Sequence, residues 1–274
     1  DNVHVSYHHR GNKDLMYATN QNGTWETHNL LDSGNVGEYT SMAIDASDNI
    51  HITHYDSSNG DLEYFTDASG SWVSSVVDSS GDTGIQSSIK VDSDGELHVS
   101  YLEALGDEDE SCYLHYANYA DSDGDGASEW ILGEVDTSGD AKCYPTSYTS
   151  LDLDSNDGIH IAYFGEGSLG YASESGGSWS TEWVTSGGAY AWLAVDSNDV
   201  VHITYQQNTD GTLSYVTDGS GSWVASALDS NGSQGKYNSM ALDSNDDLHI
   251  IHQAYDSDYL DLRYIRSHSS TSEP

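Results

Sequence analysis

The chain has 274 residues, with 46 acidic residues against seven Lys plus Arg and a formal net charge of −39 at pH 7. This acidic excess argues against nucleic acid or an anionic membrane as a partner, because both bind cationic surfaces. No apolar run approaches the roughly 20 residues of a membrane-spanning helix, which argues against direct membrane insertion. High charge is typical of disordered chains, but 20 Tyr and seven Trp at regular positions indicate a folded core.

Strand signals recur in a fixed order along the chain. A short unit such as SMAID (41–45) precedes a His-containing unit, IHITH (50–54), which is followed by DLEYFT (61–66) and SWVSSVVD (71–78). Each unit is alternating or β-branched and is bounded by Asp, Asn, Gly or Ser, which predicts strands separated by turns. We name the four strands of one repeat a, b, c and d in this order.

The four-strand unit recurs about six times, with a commonest spacing of 47 residues. Four strands per period of this length are typical of β-propeller blades. We therefore predict an all-β chain in which residues 1–266 form a β-propeller of about six four-stranded blades and residues 267–274 form a tail or linker. Because the chain starts at strand b of its first repeat and ends at strand c of its sixth, seven blades or a segment of a longer repeat array stay open as alternatives.

The repeats resemble those of secreted bacterial and archaeal propeller proteins of the L-H-I-S-Y / D-L-x-Y-A-T / G-x-W type. DLMYAT (14–19), LHVSY (97–101) and GSW (70–72) carry the resemblance. It covers residues 1–266, assigns no activity, and implies an extracellular or cell-surface location. A looser likeness links TDASGSW (66–72) to the Asp-box of sialidase-type propellers, S-x-D-x-G-x-x-W.

A histidine occupies the same position of strand b in every repeat. The six are His4, His51, His98, His160, His202 and His249. Five of them follow an Asp by six residues, as Asp92 precedes His98. A residue present in every blade serves the blade, so we interpret these histidines as structural. We expect the carboxylate or a nearby backbone carbonyl to accept the imidazole N–H, and the strand-c Tyr and strand-d Trp to pack between blades.

The third repeat departs most from the others. Its b–c connection (103–113) and its d–a connection (136–148) are lengthened. Antiparallel alternation puts both connections on one face of the blade, where the two cysteines of the chain, Cys112 and Cys143, fall together. We predict a disulfide between them, which indicates an oxidising compartment.

The c–d turn of the same repeat is expanded and acidic, with Tyr116 and Trp130 separated by 14 residues where other repeats have eight. Alternate carboxylates on a tight loop converge on one point, as oxygen-seeking Ca²⁺ requires. The stretch is similar to the calcium loops of integrin α-subunit propellers, D-x-D-x-D-G-x-x-D, with Glu at the ninth place. The resemblance implies a structural Ca²⁺ held by Asp121, Asp123, Asp125, the carbonyl of Ala127, and Glu129. A solvated acidic loop is the alternative.

Aromatic residues just before strand a are the candidates for ligand binding. Four tyrosines recur two residues before that strand, and a tryptophan accompanies them: Tyr39, Tyr148, Tyr190 and Tyr237, with Trp192. Lectin propellers bind sugars on an aromatic platform with polar groups beside it. Packing at the mouth of the channel is the alternative interpretation.

Three functional hypotheses follow from these features. The first is a non-catalytic, secreted binding or adhesion module for a glycan or a surface protein, which rests largely on fold analogy. The second is a propeller glycoside hydrolase or polysaccharide lyase, for which the acids at 107–110 and the unrepeated His8, His9 and Arg10 are available. The third is a structural repeat unit of a larger surface assembly.

Overall fold

The computed structural model describes residues 2–106, 110–121, 127–144, 146–230, 233–256 and 259–267. These residues form β-strands joined by turns, and none of them lies in a helix. Consequently, the described part of the chain holds no helix long and apolar enough to cross a membrane. The chain divides into two compact units, Asp1–Cys143 and Tyr144–Pro274.

The first unit contains three antiparallel sheets in chain order. The first is β1 (His4–His9), β2 (Asp14–Thr19) and β3 (Glu26–Leu31); the second is β4 (Glu38–Ile44), β5 (Ile50–Asp56), β6 (Asp61–Thr66) and β7 (Val73–Asp78); the third is β8 (Asp82–Val91), β9 (Leu97–Ala104), β10 (Ser111–Ala120) and β11 (Glu129–Lys142). Each strand pairs with its neighbour in sequence, as in a blade.

The second unit repeats this arrangement with three more sets of neighbouring strands. They are β12 (Ser150–Leu153), β13 (Ile159–Gly165), β14 (Ser168–Ser175) and β15 (Ser178–Ser186); then β16 (Ala189–Val195), β17 (Val201–Gln206), β18 (Leu213–Thr217) and β19 (Val224–Asp229); then β20 (Ser233–Leu242), β21 (Leu248–Asp256) and β22 (Tyr259–Arg266).

The first and last sheets have three strands each in the described residues, whereas four strands make up each of the sequential sets β4–β7, β8–β11, β12–β15 and β16–β19. The first corresponds to strands b, c and d, and the last to strands a, b and c, as the sequence pattern predicted. The prediction of an all-β chain built from repeated antiparallel strands is therefore confirmed.

Neighbouring sheets within a unit meet through a repeated glycine–leucine contact. A glycine at or just before strand a lies against the Cα of a strand-c leucine in the preceding sheet, so a Cβ on the glycine would come within 3.0 Å of it or less. The pairs are Gly37 with Leu15, Gly84 with Leu62, Gly188 with Leu169, and Gly235 with Leu213. All four leucines are fully buried. This spacing lets the two backbones approach more closely than any other residue type would allow.

A second repeated contact joins strand c of one sheet to strand d of the next. The strand-c tyrosine packs edge-on against a tryptophan, with ring centroids 5.2 Å apart for Tyr17 and Trp72 and 5.0 Å apart for Tyr171 and Trp223. Tyr64 and Trp130 make the same contact at 5.3 Å. The expected packing of these aromatic residues between blades is present, in the edge-to-face geometry that the ring quadrupoles favour.

The third sheet corrects two expectations about loops. Residues 136–142, predicted to belong to a d–a connection, continue strand β11, which pairs with β10 as far as Ser111 and Lys142 after a register shift. The expanded c–d turn is also shorter than predicted: residues 121–128 separate β10 from β11, against residues 67–72 between β6 and β7. Most of the insertion lengthens the two strands, because their added residues gain ladder hydrogen bonds.

Candidate functional site

The six repeated histidines take part in hydrogen-bonded chains inside the blades. Nδ1 of each lies 2.5–2.7 Å from the hydroxyl of a strand-c tyrosine. Nε2 of the five later histidines lies 3.0–3.4 Å from the Asp six residues earlier. The expected His–Asp contact is therefore present in every repeat that has the Asp.

The two contacts assign the proton on four of the imidazoles, those of His98, His160, His202 and His249. A carboxylate only accepts, so Nε2–H donates to the Asp, and Nδ1 then accepts from the tyrosine hydroxyl. In His98, His160 and His202 the order Tyr–His–Asp satisfies the three polar groups with one another, which supports a structural role. The tyrosine partner was missed in the sequence, where Tyr116 and its counterparts were interpreted only as packing residues.

Four of the aspartates in these chains, Asp45, Asp154, Asp196 and Asp243, have a carboxyl pKa below its ordinary value. Burial alone would raise the pKa of the Asp196 carboxyl, but N–H groups of Val200 and Asn198 and the ring of His202 donate to it and together lower its pKa. The same balance lowers the pKa of Asp154. Each Asp thus closes its own a–b turn and orients the histidine of the following strand.

Four of the five predicted ligand-binding residues converge on one cavity in the second unit. The cavity has a volume of about 180 Å³ and is lined by Tyr148, Tyr190, Ala191, Trp192, Tyr237, Asn238 and Ser239. Tyr148 precedes β12, and Tyr190 and Trp192 lie on β16. Tyr237, Asn238 and Ser239 lie on β20. Three consecutive repeats therefore contribute one tyrosine each.

The tyrosine rings of the cavity contact one another in tilted and edge-on arrangements. Tyr190 lies in the middle, with ring centroids 5.8 Å from Tyr148 and 4.8 Å, edge-on, from Tyr237. Tyr190 is buried, whereas Tyr237 and Trp192 are exposed. Burial, the nearby Tyr237 hydroxyl and its hydrogen bond raise the pKa of Tyr190 well above its ordinary value. The phenol is therefore neutral at physiological pH.

Backbone geometry turns these rings out of the sheet. Tyr190 and Tyr237 have φ of 56° and 47°, in the left-handed region that bulky residues rarely adopt. A β-bulge accompanies each, between Ala189 and Trp192 and between Lys236 and Ser239. Such backbone costs about 1–3 kcal/mol per residue and clusters at binding sites.

A buried asparagine holds the strained backbone in place. Asn238 Nδ2 donates to the Tyr190 carbonyl at 2.6 Å, and Asn238 Oδ1 accepts from the Thr204 hydroxyl at 2.6 Å. The Tyr190 N–H donates to the Thr146 carbonyl at 2.8 Å. Tyr190 is thus fixed from both sides, and the cavity is preformed by interactions between adjacent repeats.

Tyr39, the fifth predicted residue, does not line this cavity. It belongs to the first unit, where it lies near the start of β4 with φ of 52°, and its ring centroid is 6.2 Å from that of Tyr55. Gln86 occupies the matching position in the next sheet, also with positive φ. The bulge is therefore a property of the repeat, but an adjacent pair of tyrosines is not formed at Tyr39.

The predicted disulfide is present in the structure, whereas the predicted calcium loop lies partly outside the described residues. Cys112 and Cys143 are joined, with Cα atoms 5.8 Å apart. Of the predicted calcium ligands, Asp123 and Asp125 lie outside the described residues, whereas Asp121, Ala127 and Glu129 lie within them. Within the described residues, no group of three or more His, Cys, Asp or Glu is placed to hold a metal ion. The calcium site stays a prediction.

No protein-family model matches the chain, and no curated protein matches its sequence. Solved structures do match: a protein of unknown function from Dyadobacter fermentans has a TM-score of 0.65 at 11% identity, covering 92% of this chain and 83% of that one.

Two enzymes also share the fold. A Hadza microbial sialidase has a TM-score of 0.57 at 14% identity, covering 87% of this chain and 56% of its own. An endo-arabinase from Bacteroides thetaiotaomicron has a TM-score of 0.51 at 12% identity, covering 98% and 90%. These structures are propeller-type proteins. Identities this low show the fold alone, so the comparisons support a β-propeller and leave the function to the site.

Proposed function

We propose that the chain is a non-catalytic carbohydrate-binding module that takes a neutral sugar in the aromatic cavity of its second unit. The observation that carries the proposal is the convergence of Tyr148, Tyr190, Tyr237 and Trp192, one tyrosine per repeat, on one cavity. Ligand sites of this kind are mostly apolar and aromatic, with a few fixed polar groups.

The chemistry of the lining fits a pyranose ring. The exposed faces of Trp192 and Tyr237 can stack on the apolar C–H face of a sugar, while the hydroxyls of Ser239 and Tyr237 can bind its hydroxyl groups. A net charge of −39 repels uronates, sulfated sugars and sialic acids. We therefore expect the cavity to bind a neutral terminal sugar.

The lining also favours binding over hydrolysis. Glycoside hydrolases use a pair of carboxyl groups beside the scissile bond, and none of the seven lining residues carries one. A sialidase-like site would also need convergent arginines, but Arg263 lies 2.7 Å from Asp229, and Arg266 lies 2.8 Å from Asp247. Formation of a cleaved product in the experiment below would support the enzyme alternative instead.

The experiment is a glycan array followed by calorimetric titration of the neutral sugars that bind. We expect saturable binding without new reducing or unsaturated ends, and loss of binding in Trp192→Ala and Tyr237→Ala. Trp183→Ala is the matched control, because Trp183 is an exposed tryptophan on β15 that does not line the cavity. Binding that survives both cavity variants, or product formation, contradicts the proposal.

Two further features belong to the same proposal. The disulfide supports an extracellular or cell-surface location, because disulfides persist in oxidising compartments. We also propose that the acidic loop around Asp121, Asp123, Asp125, Ala127 and Glu129 binds a structural Ca²⁺, on the spacing of its oxygen ligands. We further propose that the blades number about six and form a ring, and that the protein acts in adhesion.

A further inference from the structure

Another cavity lies between the second and third sheets of the first unit, and we call it the junction cavity. Its volume is about 410 Å³, within the range of small-molecule sites. Tyr64 and Thr66 of β6 line it from the second sheet, and Tyr119 of β10 lines it from the third. Asp94 and Glu96 line it from the turn between β8 and β9. Every lining residue belongs to the first compact unit.

Three of the lining residues depart from the repeat pattern, and all three belong to the third repeat. Tyr119 stands three places after the strand-c tyrosine, where the other repeats carry Asn20, Asp67, Glu174, Asp218 and Ser267. Asp94 stands where they carry Ser47, Asn156, Asn198 and Asn245. Glu96 stands where they carry Asn49, Gly158, Val200 and Asp247. The lining is therefore particular to one repeat, unlike the contacts that build every blade.

The lengthened strand β10 places Tyr119 at the junction cavity. In three other repeats the side chain at this position accepts a hydrogen bond from the first N–H of strand b, as Asp67 does from Ile50 at 2.8 Å. In the third repeat the ladder between β9 and β10 continues to Tyr119 and Leu97. The Tyr119 ring centroid lies 6.3 Å from that of Tyr64. Two tyrosine rings thereby form an aromatic wall.

The junction cavity is also acidic. Asp94, Glu96 and Asp121 line it, and no Lys or Arg is among its lining residues in the described part of the chain. Burial and neighbouring acidic groups raise the pKa of Tyr64 to about 12, so this ring is neutral. Carboxylates beside neutral aromatic rings attract a cation, through their charge and through the negative faces of the rings.

A buried histidine adds an unpaired polar atom to the lining. His51 lines the cavity and is only 6% exposed. Its Nδ1 lies 2.5 Å from the Tyr64 hydroxyl, and its Nε2 lies 3.4 Å from Asp45 Oδ2. That second contact is not aligned as a hydrogen bond, and Nε2 has no other hydrogen-bond partner among the described residues. Buried polar atoms are nearly always paired, so this one points to a partner from outside the chain.

The arrangement favours an organic cation over a bare metal ion. Ca²⁺ needs about six to eight oxygens that converge on one point. In the parts of the chain that the structure describes, no three His, Cys, Asp or Glu residues are placed to hold a metal ion. The acids are instead distributed around a cavity with an aromatic wall, which suits a charged nitrogen that carries apolar groups.

We propose that the junction cavity binds an organic ammonium ion, which packs on the rings of Tyr64 and Tyr119 and is attracted by the carboxylates of Asp94 and Glu96. This site is separate from the aromatic cavity of the second unit, which none of these residues lines. Either site can therefore be tested, and can fail, without the other.

An NMR titration of the isotope-labelled full chain tests the proposal, with a chelator present so that a divalent ion near Asp121 does not contribute. The probes are choline and butylammonium, compared with uncharged analogues of similar shape, dimethylbutanol and butanol. We expect saturable shifts at the amides of Tyr119 and Glu96, and at least one ammonium ion should bind about tenfold more tightly than its analogue. Added salt should weaken that binding, because it screens the carboxylates.

Two variants locate the site, and each uses residues that other repeats already carry at the same positions. Tyr119→Asn introduces the residue found at Asn20, and Asp94→Asn combined with Glu96→Asn introduces those found at Asn198 and Asn49. Each variant should weaken binding of the ammonium ion by about tenfold. The charge variant should also abolish the preference for the charged probe over its analogue.

Glu26→Gln combined with Asp48→Asn is the matched control, because it removes two exposed carboxylates of the same unit that do not line the cavity. This control should keep the wild-type affinity. The proposal is overturned if neither ammonium ion binds the wild-type chain more tightly than its uncharged analogue. It is also overturned if binding survives both cavity variants.

Discussion

Gly84 lies so close to Leu62 that a Cβ on the glycine would come 2.7 Å from the Leu62 Cα. Gly84 has φ of 99°, Leu62 is fully buried, and the equivalent contact recurs in both units. The contact therefore sets the distance between neighbouring sheets. It depends on a glycine for two reasons, namely the missing side chain and the left-handed backbone.

Substitution of this glycine separates the two reasons. Gly84→Ala should destabilise the chain by about 2–5 kcal/mol, because a strained backbone of about 1–2 kcal/mol is added to overpacking of about 1–3 kcal/mol. Gly95→Ala is the matched control: Gly95 has φ of 87° but no atom within 4 Å of its Cβ position. Gly95→Ala should therefore lower the free energy of unfolding by the backbone contribution alone, about 1–2 kcal/mol. Urea unfolding measures both, and equal losses would contradict close packing at Gly84.

His54 should make the stability of the chain depend on pH. Its ring is fully buried on β5, Nδ1 accepts from the Gly37 N–H at 3.3 Å, and burial lowers its pKa to about 4. The native state keeps His54 neutral, while the unfolded chain protonates it below its ordinary pKa of 6.5. Stability from this group is complete above pH 6.5 and is lost as pH falls towards 4, by up to about 3 kcal/mol.

His54→Gln should remove that part of the pH dependence, as measured by chemical unfolding at a series of pH values. Glu63, whose Oε2 lies 3.4 Å from His54 Nε2, has a pKa raised by burial. Its protonation therefore stabilises the native state as pH falls, which is opposite to the effect of His54. Glu63 is present in both proteins, so the comparison isolates the histidine. His28→Gln, at an exposed position, is the control and should keep the wild-type slope. An unchanged slope in His54→Gln would refute the assignment.

Calcium should stabilise the chain if the acidic loop binds it. We expect an increase in the unfolding midpoint on addition of Ca²⁺ and its reversal by a chelator, since a ligand that binds only the native state stabilises it by mass action. Asp121→Asn combined with Asp123→Asn should abolish the response. Asp92→Asn combined with Asp94→Asn changes a D-x-D pair in an a–b turn and serves as the control. A response that persists in the loop variant would place the ion elsewhere.

Much of the architecture could be predicted from the sequence, because β-strand alternation and turn residues recur with a fixed period. The incomplete first and last sheets and the His98–Asp92 type of contact followed from spacing alone. The glycine–leucine contact was missed, although each glycine stands two residues before Tyr39, Gln86, Tyr190 or Tyr237. Close backbone approach has no signature in hydrophobic pattern, and only the three-dimensional register reveals it.

The residue types that line the aromatic cavity could be predicted from the sequence, but which of them lie together could not. Tyr39 and Tyr190 share a position in the repeat and a positive φ, so sequence alone treats them alike. The difference lies in the next repeat, where Gln86 follows Tyr39 and Tyr237 follows Tyr190. A cavity shared by adjacent sheets depends on pairs of residues, which become visible once the order of the sheets is known.

The repeated glycine–leucine contact also bears on how such a chain can evolve. The four junctions within the two units use the same two residues, so copying or losing one whole repeat inside a unit leaves its remaining junctions matched. Loss of part of a repeat would instead leave a leucine facing a side chain it cannot accommodate. Changes in length should therefore accumulate in whole repeats, while new specificity arises from exchanges at the single position before strand a.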